Sequence, residues 1–203
     1  MSGPDLAFWQ QRFDSGRLPW DRGHSSPQLA AWLADGTLTP CRIAVPGCGS
    51  GHEVLSLARA GFEVTAIDYA PGAVASTTQR LSEAGQQAQV LQADVLDWQP
   101  AAAFDAVYEQ TCLCALHPDH WIAYASRLQA WLRPGGRLAL LAMQALRESA
   151  AGGAIEGPPY HVDVNALRAL LPQQRWEWPR PPYARVPHPT EAWAELALLL
   201  IRR

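Results

Sequence analysis

The segment Ile43-Ala44-Val45-Pro46-Gly47-Cys48-Gly49-Ser50-Gly51-His52-Glu53 constrains this chain more than any other. Its apolar start, from Arg42 to Val45, reads as a buried strand. A glycine-dense turn gives way at once to a helical pattern with Val54, Leu55, Leu57 and Ala58 on one side. Strand, glycine-rich turn and helix open a nucleotide-binding α/β unit. Glycine suits the turn because the backbone bends tightly and a ligand approaches where a Cβ would stand. The spacing is G-x-G-x-G, which differs from the G-x-G-x-x-G of dinucleotide binders. A phosphate-cradling P-loop is excluded, because it needs a lysine and the chain has none.

Two further strand ends extend this signal. Phe62 to Ile67 alternates and ends in Asp68, followed by Tyr69. An acidic side chain at the tip of a second strand is placed to accept hydrogen bonds from ribose hydroxyls. Gln89 to Ala93 then ends in Asp94-Val95, again at a carboxyl end. Glycine turn, Asp68 and Asp94 along one sheet edge predict an adenosine-type ligand, and the G-x-G-x-G form points to S-adenosylmethionine.

At these residues the chain resembles class I S-adenosylmethionine-dependent methyltransferases, and within them the thiopurine methyltransferase family, which includes thiol, halide and thiocyanate methyltransferases. The acidic residue common two positions before the first glycine is here Val45, and the turn reads V-P-G-C-G-x-G, as in that family. The family's W-x3-W-x6-W-D-x-G segment is matched by Trp9, Phe13 and Trp20-Asp21-Arg22-Gly23, with Phe in the middle position. Similarity continues through Tyr108 to Thr111, Leu113 to Leu116, Leu132 to Gly136 and Gly157 to Tyr160. The resemblance implies a cofactor site of Trp9, Phe13, Trp20, Gly47, Gly49, Gly51, Asp68, Tyr69, Asp94, Val95 and Gln110. Residues 1–35 would then be an aromatic arm closing over the cofactor, and residues 36–203 a class I methyltransferase domain. A sulfonium against aromatic faces is physically sensible, because a desolvated cation over a ring gains roughly 2 kcal/mol.

The rest of the pattern agrees with one α/β domain. Strands are expected at 41–46, 62–67, 88–93, 104–109, 137–143, 175–178 and 195–202. Helices are expected at 5–13, from Pro27, and at 52–60, 71–84, 118–132 and 163–171. Alternating strands and helices imply a mostly parallel, seven-stranded Rossmann-like sheet with helices on both faces. The resemblance adds an antiparallel last strand. The proline-rich stretch 179–189 is either a stiff connector or a wall of the substrate pocket.

Composition narrows the partners. With 48% hydrophobic and 17% charged residues the chain is globular. A net charge of -3 and a pI near 6.0 leave no electrostatic footprint for nucleic acid. The first residues lack the basic and apolar regions of a signal peptide, and no apolar run is long enough to span a bilayer. Cys112-x-Cys114 is not zinc spacing, and no metal site is expected. The expected protein is a cytoplasmic monomer with a small-molecule substrate.

Methyl transfer is an in-line displacement, so alignment and exclusion of water supply most of the rate. A thiol acceptor has a pKa of about 8.5 and needs no strong base. No Cys-His or Ser-His-Asp constellation is visible. Gln110 stands where the resembled enzymes carry Tyr or Arg at the reaction centre, and it cannot act as acid or base. Glu109 either holds the cofactor's amino group or is a helix-capping or solvent-facing carboxylate; with Gln110 it is the catalytic candidate. His117 and His120 read as surface residues, and Arg147 as a possible partner for an anionic substrate. The leading reading is S-methylation of a small thiol. The alternatives are N- or O-methylation of a metabolite, and a non-catalytic S-adenosylmethionine-binding accessory protein.

Overall fold

The computed structural model describes residues 3–149, 154–188 and 193–203. Segments 150–153 and 189–192 lie outside the described residues, including Pro189 at the end of the proline-rich stretch.

The chain opens with α1 (Leu6–Asp14), whose first turn is capped by the Asp5 side chain accepting the Phe8 N–H, and α2 (Pro27–Ala34), capped by Ser26. The α/β core follows: β1 (Arg42–Pro46), α3 (His52–Arg59), β2 (Glu63–Asp68), α4 (Pro71–Glu83) and β3 (Gln89–Gln92). Next come β4 (Phe104–Gln110), the short α5 (Cys112–Ala115), a 3-10 turn, α6 (Trp121–Trp131) and β5 (Leu132–Gln144). The chain ends with α7 (Val164–Leu170), β6 (Trp176–Glu177), β7 (Ala184–Pro187) and β8 (Ala194–Arg202).

The main strand order is β3-β2-β1-β4-β5-β8-β6, with β1 to β5 parallel and β8 antiparallel to β5. These seven strands are the expected ones. An eighth, β7, pairs with the outer part of β8 and comes from the proline-rich stretch. Ala184 to Val186 carry the N–H groups an edge strand needs, and Pro187 closes it because proline gives no N–H to a ladder. A second difference concerns β5. Leu132 already pairs with Phe104, and the register then shifts so that Arg137 pairs with Ala106. The Pro134-Gly135-Gly136 run is therefore a bulge inside the strand and not a break before it.

Strands covered on both faces read as near-continuous apolar runs, and Leu138 to Met143 fits that rule with every residue buried. One face packs on α2, α3 and α4 through Leu29, Trp32, Val54, Leu57 and Leu81. The other packs on α5, α6 and α7 through Leu113, Trp121, Tyr124, Leu128 and Leu167. The chain winds outward from β1 to β3 and then returns to β4 and β5 on the other side of β1. The strand order thus reverses between β1 and β4, where an open α/β sheet leaves a crevice beyond its carboxyl ends.

Candidate active site

A cavity of about 530 Å³ occupies that crevice. The size suits a drug-sized ligand. Its floor is the turn from β1 into α3. Gly47 and Gly51 have φ of +61° and +77°, a region that L side chains rarely adopt. A Cβ on Gly47 would stand 2.9 Å from the Cys112 Cβ, and one on Gly51 2.6 Å from the Thr77 hydroxyl. The turn is therefore glycine partly because β4–α5 and α4 press on it. It is held from α4 as well, since Thr77 Oγ1 donates to the Gly49 carbonyl at 3.0 Å and Arg80 Nε to that of Ser50 at 2.7 Å.

The two acidic strand ends both reach the cavity. Asp68 accepts the N–H groups of Gly49 and Ala70, each at 2.9 Å, which leaves further lone pairs for a ligand. Burial pushes its carboxyl up while those amides oppose the shift. Asp94 accepts the Leu96 N–H at 2.8 Å, turning the chain so that Val95 and Leu96 also face the cavity. Tyr69 lines it as well, with its ring partly in solvent.

The aromatic arm forms the opposite wall. Trp20 meets Trp9 at 5.5 Å and Phe13 at 6.2 Å between ring centroids, both edge-on, and all three line the cavity. The arm rests on α4: Gln10 Oε1 accepts the Gly72 N–H at 2.9 Å, and a Cβ on Gly72 would stand 2.5 Å from that of Phe13. Asp21 takes the Ser50 hydroxyl at 2.5 Å and meets His52 Nε2 at 3.0 Å. Burial works against ionisation of Asp21, but Ser50, the Gly23 amide and His52 together hold its carboxyl below the usual range. Burial also lowers His52, so near neutral pH it stays an uncharged partner.

The β4 wall separates the catalytic candidates. Successive residues of a strand face opposite sides, so Tyr108 and Gln110 point into the cavity while Glu109 turns towards α5 and α6. Glu109 is fully buried, accepts the Leu113 N–H at 2.7 Å and caps α5. Of the readings of Glu109, this placement matches the helix cap, and among the described residues Tyr108 and Gln110 line the cavity where Glu109 does not. Gln110 Oε1 accepts the Tyr108 hydroxyl at 2.7 Å, and Nε2 donates to both oxygens of Glu195 at 3.1 and 3.2 Å. Thr111 follows with φ +63°, the one non-glycine residue in that region among the described residues. A strained residue of this kind costs about 1–3 kcal/mol and typifies a functional turn.

Several residues take other positions than expected. His117 and His120 line the cavity rather than lying on an outer face. Arg147 is held by Glu156 and the Pro159 carbonyl and stacks on Trp193, so it is no free anion receptor. The proline-rich stretch serves both readings, since it carries β7 and its His188 reaches the cavity. Burial, with the Arg22 charge, lowers His188 to about 4 and keeps it neutral. Cys112 lines the cavity, yet burial and then Glu109 hold its thiol far above the reactive range. The sequence reading missed Arg22 and Glu195. The signal was there: a glutamate inside the apolar run Ala194 to Ile201 demands a buried partner.

The family model for thiopurine S-methyltransferase matches residues 4–186. The chain belongs to this family. It is accordingly a methyltransferase that uses S-adenosylmethionine. It is 32% identical over 173 residues to probable thiol methyltransferase 2 of Arabidopsis thaliana, covering 84% of this chain and 74% of that protein. Thiopurine S-methyltransferase of Legionella pneumophila (strain Corby) is 28% identical over 183 residues, covering 82% of this chain and 80% of that one. A solved structure on the conversion of a disulfide bond into a thioacetal group during echinomycin biosynthesis superposes with a TM-score of 0.78 at 25% identity, covering 98% and 92%. The Burkholderia thailandensis 1,6-didemethyltoxoflavin-N1-methyltransferase, with bound S-adenosylhomocysteine, shares the fold at 20% identity, a TM-score of 0.74 and coverage of 98% and 86%.

The residues present fit this family's methyl donor. The helix that leaves the glycine turn, α3, has no side-chain cap on its first N–H groups, which suits a ligand carboxylate. Asp68 and Asp94 offer acceptors for hydroxyl and amino groups, and the aromatic arm offers ring faces to a cation.

Proposed function

We propose that this enzyme methylates the sulfur of a small thiol. Gly47, Gly49 and Gly51 with the α3 N-terminus would hold the methionine part of S-adenosylmethionine, Asp68 and Tyr69 the ribose, and Asp94 and Val95 the adenine. Trp9, Phe13 and Trp20 would cover it. When bound, the cofactor supplies a methyl group on a positively charged sulfur.

The observation that carries the reading is Gln110. Its amide is fixed between the Tyr108 hydroxyl and Glu195 and lies on the cavity wall. An amide can orient an acceptor but cannot take its proton. The carboxylates around it are engaged: Asp21 with Ser50 and His52, Glu53 with the Ser26 amide, Glu195 with Arg22. Such a wall suits a nucleophile that ionises without much help. A thiol of pKa about 8.5 offers a few per cent thiolate at neutral pH, whereas an alcohol or protonated amine needs a dedicated base. The arm and Gln110 then act by alignment and by excluding water. The names of the relatives, thiol, thiocyanate and thiopurine methyltransferase, support a sulfur acceptor.

The same reading makes residues 1–35 the cover of a single methyltransferase domain, 36–203, working as a cytoplasmic monomer on a small molecule and not on nucleic acid. Four cysteines without a disulfide and a net charge of -3 support it. No helix among the described residues is long and apolar enough to cross a membrane.

The test is S-adenosylhomocysteine release by purified enzyme with aryl thiols, alkyl thiols, a catechol, an amine and iodide supplied in turn. Release that requires a thiol is the expected result. Release driven only by the amine or the catechol would overturn the sulfur assignment.

A further inference from the structure

Adjacent residues of the loop that carries Trp20 are fastened to two distant parts of the fold. Asp21 binds the β1–α3 side through Ser50 and His52. Arg22 binds the other side: Nη1 donates to the Pro187 carbonyl at the end of β7 at 2.7 Å, and Nη2 to Glu195 on β8 at 3.1 Å. The Glu195 side chain is 1% exposed and that of Arg22 10%. A carboxylate this deeply buried is tolerated only with charge and hydrogen bonds around it. Its remaining side-chain donor among the described residues is Gln110 Nε2, which spans both carboxylate oxygens. The direction of the Gln110 amide follows, because a flip would set its carbonyl against the carboxylate and its amino group against the Tyr108 hydroxyl proton.

We infer that Glu195 is a positioning residue that couples closure of the aromatic arm to the orientation of Gln110. With Arg22 seated, the carboxylate is neutralised and holds the Gln110 amide in one direction. With the arm lifted, the same carboxylate is left buried with Gln110 alone, which disfavours that state and frees the amide. The extra strand β7 belongs to this device, since it supplies the carbonyl that takes the second N–H of Arg22. A site coupled in this way is set for reaction only when it is covered. The catalytic half of the inference rests on the proposed role of Gln110; the coupling itself does not.

The experiment compares Arg22→Met, Glu195→Gln, the double variant and Arg22→Lys, each checked for folding by circular dichroism. Two readouts need no acceptor: S-adenosylhomocysteine affinity by calorimetry, and tryptic cleavage after Arg12 and Arg17 in the arm. Each single change is expected to weaken binding about tenfold and to speed cleavage, which is about 1.4 kcal/mol. The double variant is expected to be no weaker than the poorer single one, since both remove one shared contact. Arg22→Lys, which keeps the charge, should fall between wild type and Arg22→Met. With 4-nitrothiophenol as acceptor, Glu195→Gln should lower kcat as far as Gln110→Ala, and combining them should lower it no further. Unchanged binding and cleavage in the singles, or losses that multiply in the double, would overturn the coupling. If wild type turns over no thiol, the acceptor assignment fails alone, and binding and cleavage still decide this inference.

Discussion

Asp68 clasps the glycine turn from the cavity side, with Oδ2 accepting the Gly49 N–H at 2.9 Å while Oδ1 accepts the Ala70 N–H, just before α4, at the same distance. One carboxylate therefore shapes the turn and faces the ligand. Asp68→Ala should raise the S-adenosylhomocysteine dissociation constant tenfold or more and lower stability by about 1–3 kcal/mol through the two orphaned amides. Calorimetry and thermal melts measure both. Unchanged affinity would show that the ribose does not lie against Asp68.

Gly51 is required by packing as well. A methyl there would press on the backbone of Thr77 as well as its hydroxyl, at a φ of +77°. Gly51→Ala should cost about 2 kcal/mol or more in urea unfolding. Adding Thr77→Ala, which removes the hydroxyl, should not recover that loss, because the clash with the Thr77 Cα and Cβ stays. Full recovery would mean that the Thr77 hydroxyl alone sets the limit.

Trp20 separates charge from shape. S-adenosylmethionine carries a sulfonium and S-adenosylhomocysteine does not. A desolvated cation against an aromatic face gains roughly 2 kcal/mol. Trp20→Leu should therefore weaken S-adenosylmethionine more than S-adenosylhomocysteine, by about five- to thirtyfold in the ratio of their dissociation constants. Equal losses for both ligands would reduce the ring to a lid.

Glu109 predicts a pH dependence of stability. Burial raises its pKa from 4.5 to about 7, against the Leu113 and Cys112 amides. A carboxyl whose folded pKa is raised holds its proton longer in the native state, so stability falls as pH rises from about 4.5 to about 7. Glu109→Gln mimics the protonated form. Its melting temperature should exceed that of wild type at pH 8, and the gap should close towards pH 5, with a gain on the order of 1–3 kcal/mol. A gap that does not change between pH 5 and pH 8 would contradict the assignment.

How much of this was legible in the sequence depended on the range of the interaction. The β1–α3 turn, Asp68 and Asp94 could be read because each sits at a strand end whose apolar run and breaker residues lie next to it in the chain. The aromatic arm was legible only through its spacing, since nothing local says that α1 lies on α4 at Gly72. Glu109 had more than one reading because strand alternation fixes which face a residue takes, but not which face holds the cavity. β7 was hidden by prolines, which mark a loop by local rules yet leave Ala184 to Val186 free to pair with β8. The link from Arg22 to Glu195 spans 173 residues and has no local signature beyond a charge inside an apolar run.

The most direct measurement of the central claim uses cofactor labelled with ¹³C in its methyl group and 4-mercaptophenol, which offers a thiol and a hydroxyl on one ring. Carbon NMR of the product locates the label. The account predicts label on sulfur alone. Label on oxygen, or bound cofactor with no labelled product from this or any other thiol, would contradict it.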